Sequence, residues 1–288
     1  MLTIEAPAKI NLTLEVLGKR QDGYHEIRSV MQAINLCDRL HFKSGESIEF
    51  RSSTPDWNPE ESLVLRAVDL LCETTGCILG ATIEVEKRIP MMAGLGGDSS
   101  DAAAVLRGLN ELWGLGLSRD DLLGLAPRLG SDVAFFIYGG TALAEGRGER
   151  VTLLSPLPHR WVVLVVPSVS RVPGKTRRLY ARLNASHYTD GEITGRLVEE
   201  LKTGGKFTPS LLFNTFENVS FTRSSRLSVY RSHIAKIGAT NVHLAGSGPA
   251  LFSILEDRDE AEDLYTRIRD QGMECYLTDT AGARKSVE

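Results

Sequence analysis

Residues 90–104 read P-M-M-A-G-L-G-G-D-S-S-D-A-A-A, and the rest of the chain is read outward from them. The preceding I-E-V-E-K-R-I alternates apolar and charged residues, the pattern of a half-buried strand. After them Ala102, Val105, Leu106, Leu109, Leu112 and Trp113 recur at helical spacing, which predicts a helix over 99–113. A strand therefore feeds a glycine-rich loop that opens a helix. The first turn of a helix has N–H groups without internal partners, and the macrodipole adds partial positive charge there. Gly94, Gly96 and Gly97 let the backbone approach a ligand closely. Ser99 and Ser100 offer hydroxyls to cap the helix or to bind oxygen ligands. The combination suits a phosphate chain. No lysine follows the glycines as in a Walker A loop, and Leu95-Gly-Gly-Asp breaks a G-x-G-x-x-G fingerprint.

Composition narrows the classes. The chain has 288 residues, 42% apolar and 24% charged, room for one large domain or two ordinary ones. A net charge of -4 speaks against a broad nucleic-acid footprint. No apolar run nears the roughly 20 residues of a membrane span, and the first residues lack the succession of a signal peptide. Cys37, Cys72, Cys77 and Cys275 show no C-x-x-C or zinc spacing, so they read as reduced thiols in a cytoplasmic protein.

In chain order, strands flank A-P-A-K-I-N, and Asp22-Gly23 marks a hairpin tip before Tyr24 and His25. Met31–Phe42 and Ser47–Phe50 suggest strands, Thr54–Glu61 a loop and Leu63–Thr74 a helix. Strand 82–88 leads into the glycine loop, and Asp120–Leu129 is a short helix. Pro156 and Pro158 bracket a domain boundary, giving units 1–156 and 157–288. Trp161–Val166 reads as a buried strand. Val172–Asp190 contains a helix that includes Tyr180, and Gly204–Pro209 is a loop. Leu211–Val219 and Ser225–Ile237 read as helices. His243–Leu255 is a strand broken by A-G-S-G-P, Asp259–Asp270 an amphipathic helix and Met273–Thr278 a last strand. The alternation implies α+β layers, not a doubly wound sheet.

Phosphoryl transfer needs held phosphates, a positioned hydroxyl and a group that takes or steers its proton. Lys9, early in an apolar strand, is a surface lysine or a site cation. Asp132, after Gly130-Ser131 and before V-A-F-F-I, is a helix cap or a base tuned by a neighbouring charge and partial desolvation. His25 beside Tyr24 is a structural histidine or a reader of a polar ring.

Together, A-P-A-K-I-N-L-T-L, D-G-Y-H-E-I, residues 89–104, G-S-D-V-A-F-F, N-T-F-E (214–217) and L-A-G-S-G-P-A-L-F resemble the GHMP kinases, in the same order from about residue 5 to 255. The resemblance implies a two-domain α+β fold: an N-terminal domain like the second domain of ribosomal protein S5 and a ferredoxin-like C-terminal domain. It implies ATP and Mg2+ in the cleft between them. It is closest to the branch that phosphorylates the tertiary 2-hydroxyl of a methylerythritol joined to cytidine diphosphate, a step of non-mevalonate isoprenoid synthesis. By motif position Asp132 is the catalytic carboxylate and Lys9 its cationic neighbour. Asn11 places the methylerythritol end. Tyr24 stacks on the cytosine, His25 hydrogen-bonds it, and Tyr180 is the second stacking ring. Ser62, Leu63 and Lys87 lie near the adenine. Pro90, Met91, Met92, Ala93, Gly94, Leu95, Gly96, Gly97, Asp98, Ser99 and Ser100 surround the triphosphate. Gly246, Ser247 and Gly248 face the substrate's diphosphate.

Asp98 stands where the family usually has glycine, and we expect it, with Ser99, in the magnesium shell. Ala134 replaces a usual proline and Ser62 a frequent asparagine. Another GHMP small-molecule kinase, or a non-catalytic ATP- and ligand-binding sensor of the same fold, are the alternatives. The expected partners are small molecules, without nucleic acid or membrane, on a monomer or weak homodimer.

Overall fold

The computed structural model describes residues 1–55, 57–169, 174–204, 207–223 and 225–283. Asp56 of the expected 54–61 loop, Val172 at the start of the expected helical segment, and Gly205 of the expected 204–209 loop lie outside them. The chain opens with β1 (Leu2–Asn11), β2 (Thr13–Lys19), β3 (His25–Gly45) and β4 (Ile48–Ser52). Then come α1 (Leu63–Thr75), β5 (Gly80–Glu86), α2 (Gly97–Leu112), α3 (Arg119–Leu129), α4 (Val133–Tyr138), β6 (Thr141–Gly146) and β7 (Arg150–Leu153). The second half runs β8 (Trp161–Val165), α5 (Lys175–Tyr180), α6 (Glu192–Lys202), β9 (Phe213–Asn214), α7 (Glu217–Ser220), α8 (Arg226–Ile237), β10 (His243–Leu244), β11 (Leu251–Leu255), α9 (Arg258–Asp270) and β12 (Cys275–Asp279).

Among the described residues eight strands form the first sheet, built on the 21-residue β3. That strand pairs antiparallel with β1, β2, β5 and β6. Its register against β1 slips between Pro7/Cys37 and Ala8/Ile34, where Pro7 has no N–H to give the ladder. The helices α1 to α4 cover this sheet. Ala102, Ala103 and Ala104 are fully buried, and a side chain at Gly108 would run into Phe42, so small residues let α2 lie close on the strands.

The second sheet runs β10-β11-β8-β12, all antiparallel. On one face Val163, Val165 and Leu251 pack with Ala261, Leu264 and Ile268 of α9. On the other, Val162, Leu164 and Phe252 pack with Ala8 and Ile10 of β1, with Leu12 just after it, and with Leu197 and Leu201 of α6. Burial on both faces explains why Trp161–Val166 reads as a continuous apolar run.

Two expectations fail. Leu211–Val219 is not one helix. Phe213–Asn214 is a short strand parallel to β2, with Phe213 N donating to Leu12 O (3.1 Å) and Thr215 N to Leu14 O (2.8 Å). The helix α6 was not anticipated, although its buried Thr194, Leu197, Val198 and Leu201 follow helical spacing.

Candidate active site

The loop between β5 and α2 holds Met92, Gly94 and Gly96 at φ of +53°, +87° and +75°. A Cβ at Gly94 would fall on the Ala245 carbonyl oxygen and 2.7 Å from Gly248 N. One at Gly96 would stand 2.7 Å from Phe136 Cζ and 3.2 Å from Lys9 Cγ. These glycines are thus demanded by what presses on them: the second glycine loop on one side, Lys9 on the other. The helix α2 starts at Gly97, two residues earlier than expected, with Gly96 at the N-cap position and no side-chain cap. Ser99 and Ser100 are therefore inside the first turn and not caps; the Ser100 hydroxyl is buried without a partner. The first-turn amides remain open to an anion.

Asp98, expected in a magnesium shell, is directed at the start of α1. Its carboxylate accepts from the Ser62 hydroxyl, and from Leu63 N at 3.1 and 3.2 Å. It caps α1 from outside, because free N–H groups and dipole at that terminus attract a carboxylate. Both oxygens are turned to the α1 terminus, an arrangement that favours a helix-end role for Asp98 over the magnesium role expected of it. Among the described residues no group of three or more His, Cys, Asp and Glu is arranged for a metal ion.

The same turn is anchored from behind. Lys87 Nζ donates to Asp38 Oδ2 and, at 2.6 Å, to Asp101 Oδ2; both aspartates have fully buried side chains. Asp38 also accepts from Ile89 N at 2.8 Å. Burial raises the Asp101 pKa well above the usual carboxylate value, against the pull of Lys87. Burial works to lower the Lys87 pKa, but Asp101 and Asp38 outweigh it and hold it raised. The Lys87 ammonium is thus committed to two carboxylates and not to an adenine ring. Sequence reasoning missed Asp38 and Asp101, which nothing local marks.

Lys9, on β1, is 4% exposed. Its backbone N donates to Leu95 O (2.9 Å), tying the strand to the first glycine loop. Its Nζ donates to Asn11 Oδ1 (2.7 Å) and lies 3.5 Å from Asp132 Oδ2. Asp132 occupies the N-cap position of α4 but makes no capping bond, so the cap reading falls away. Its side chain is 31% exposed, open to a substrate.

The second glycine loop closes over this pair. A Cβ at Gly246 would lie 3.0 Å from Lys9 Nζ and 2.8 Å from Gly94 O. Ala250 N donates to Ala93 O (3.1 Å), joining the loops directly. Asn214 Nδ2 donates to Leu244 O (2.9 Å) and Gly246 O (2.8 Å), and Glu217 Oε1 accepts from Leu244 N (2.9 Å). The N-T-F-E stretch therefore holds the loop's shape. Ser247 Oγ is 2.9 Å from Thr176 Oγ1, and the Gly248 carbonyl accepts from Lys175.

At the hairpin tip the expected cytosine-binding rings lie near one another and near Phe216 and Arg147. His25 stacks on Tyr180, centroids 4.7 Å apart at 17°, and Tyr180 meets Phe216 edge-on. Tyr24 is 56% exposed, with the Arg147 guanidinium 4.8 Å from its ring centroid. Burial, then Lys19, lowers the His25 pKa, so the ring is neutral near pH 7. Burial pushes the Tyr180 hydroxyl far up, keeping it protonated.

An uncapped helix start, a lysine–aspartate pair and a second glycine loop, brought together in this way, suit a small-molecule kinase. The chain belongs to the GHMP kinases: the model for the GHMP kinases N terminal domain matches residues 62–140 and that for GHMP kinases C terminal matches 197–273. The 4-diphosphocytidyl-2-C-methyl-D-erythritol kinase of Dehalococcoides mccartyi is 48% identical over 282 residues, 98% of this chain and 99% of that protein. The enzyme of the same name from Bacillus cereus is 38% identical, covering 100% of this chain and 99% of that protein. A crystal structure of 4-(cytidine 5'-diphospho)-2C-methyl-D-erythritol kinase superposes with a TM-score of 0.83 at 34% identity, covering 98% and 100% of the two chains. Homoserine kinase from Cytophaga hutchinsonii, 19% identical with a TM-score of 0.70 over 99% and 95%, shares the fold. No helix among the described residues is long and apolar enough to cross a membrane.

Proposed function

We propose that this enzyme moves the γ-phosphate of ATP onto the 2-hydroxyl of 4-diphosphocytidyl-2-C-methyl-D-erythritol, in the cytoplasm, as a step toward isoprenoid precursors. The observation that carries the reading is the 3.5 Å approach of Lys9 to Asp132 between the two glycine loops. The relatives of that name, alike over nearly the whole chain, support the acceptor.

Phosphoryl transfer is mostly positioning and charge stabilisation. In this reading the amides of Gly97, Asp98 and Ser99 hold the triphosphate, with Ser62 and Leu63 at the adenine end. Asp132 takes the proton of the acceptor hydroxyl, and Lys9 stabilises the charge that builds between alcohol and phosphate. The turn at 246–248 holds the diphosphate of the acceptor, and Asn11 its polyol. The stacked His25 and Tyr180 wall in the cytosine, with Tyr24 at the rim; such a contact contributes about 1–3 kcal/mol per base. Magnesium bound to ATP would supply charge neutralisation on the phosphates.

The test is ADP release with the cytidine substrate, repeated with Asp132→Asn. Turnover falls by about 10²–10⁴ in the variant while ATP affinity stays within about twofold. Turnover with simple alcohols alone assigns a different acceptor. Binding of both ligands with no turnover in the unmutated enzyme makes it a sensor.

A further inference from the structure

Asn11 presents Oδ1 to Lys9 at 2.7 Å and Nδ2 to Ser29 Oγ at 2.8 Å. Ser29 in turn donates to the Thr13 carbonyl at 2.5 Å. Thr13 is itself fixed from both lobes: its Oγ1 accepts from Val30 N (3.0 Å) and pairs with Thr194 Oγ1 of α6 (2.9 Å).

A serine hydroxyl has one proton. With that proton on the Thr13 carbonyl, Ser29 meets Asn11 only as an acceptor. The amide nitrogen must then be the atom at Ser29, and the amide oxygen the atom at Lys9. A flipped amide would set NH₂ against the ammonium and leave a carbonyl facing a hydroxyl oxygen. Neither error is relieved by solvent, since Ser29, Asn11 and Lys9 are 0%, 3% and 4% exposed.

We propose that Ser29 is a positioning residue for phosphoryl transfer: by accepting the Asn11 N–H it locks the Asn11 carbonyl on Lys9 and so aims the ammonium at Asp132. The inference rests on Lys9 and Asp132 being the catalytic pair. Ser29 itself touches neither substrate nor the reacting atoms; it acts through Asn11.

The experiment compares Ser29→Ala and Ser29→Thr in the full-length enzyme, with Asp132→Asn as reference. Ser29→Ala lowers kcat about tenfold, the size of effect one lost hydrogen bond carries, with the KM for ATP within about twofold. Ser29→Thr, which keeps the hydroxyl, recovers at least about half of kcat. In the unmutated protein the Asn11 side-chain amide protons exchange slowly in NMR spectra, and in Ser29→Ala they exchange fast. The proposal is overturned if Ser29→Ala keeps kcat within about twofold, or if Ser29→Thr is as impaired as Ser29→Ala. Fast exchange of the Asn11 amide in the unmutated protein overturns it too, whether or not the alanine variant folds. If Asp132→Asn keeps full turnover, the catalytic pair itself is wrong; if Asp132→Asn is dead and Ser29→Ala is normal, only the role of Ser29 fails.

Discussion

At Asp98 a carboxylate in the glycine-rich turn is directed at the start of α1. The Ser62 hydroxyl and Leu63 N hold it at the start of α1. Asp98→Gly is therefore expected to leave the magnesium activation curve of turnover unchanged. It should lower stability by about 1 kcal/mol, the usual value of a helix-end hydrogen bond, read by denaturant unfolding. His25 yields a second expectation at this scale. Its folded pKa is depressed, by burial first and by Lys19 second. A depressed histidine pKa means the unfolded chain binds the proton first. The ring's contribution to stability is complete above about pH 6.5 and drains as pH falls through the folded midpoint. An NMR titration of His25 should give a midpoint below that of a free histidine, and Lys19→Gln should raise it. Residue by residue, pattern alone leaves Lys9 as a surface lysine or a site cation and Asp132 as a cap or a base; it is the ordered set of family motifs that pairs them, and the structure sets them 3.5 Å apart. Asp38 and Asp101 were not legible, because a strand bulge and a helix turn bring together groups 49 and 14 residues from Lys87.

Among the elements, the strand–loop–helix unit was legible since its glycines and helical period are local signals. What the sequence concealed is why the glycines are there. Gly94 is needed less for a ligand than for Ala245 and Gly248 of the other lobe, which occupy the space of its missing side chain. Gly94→Ala, strained at φ +87° as well, should cut kcat/KM at least about tenfold. Gly18→Ala, with nothing within 4 Å of its added carbon, should leave kcat/KM unaltered. Steady-state kinetics on the two proteins checks both. The misread stretch around Phe213 has apolar residues that suit a helix, but β2 offers an open edge and Asn214 has two loop carbonyls to satisfy. Tertiary partners overrode the local pattern.

On the scale of the molecule, the two lobes share one apolar cluster running from Ile10 and Leu12 to Leu164 and Phe252. A second tie lies past β12, where the chain re-enters the first sheet. Thr280 bridges Ile34 and Ala283 bridges Gly139; Ala281 N donates to Ala33 O (2.8 Å), and Gln32 Nε2 donates to Ala281 O (2.8 Å). Removing residues 280–288 should cost about 2 kcal/mol or more of stability, at roughly 1 kcal/mol per hydrogen bond lost. Denaturant unfolding of the truncated protein measures it; stability equal to that of the full chain would show the tie to be idle. The boundary expected at Pro156 and Pro158 gives no sign of either tie, nor of β9, which joins β2 of the first sheet.

That returning tail has a consequence for how the protein comes into being. Residues 280–283 are synthesised after every described strand and helix of both lobes, so the sheet begun by the first forty residues lacks this partner until both lobes have been made. Fastening of the two lobes should thus arrive in one late step, and a polypeptide that stops just before Thr280 would carry Lys9 and Asp132 yet be poorly fastened.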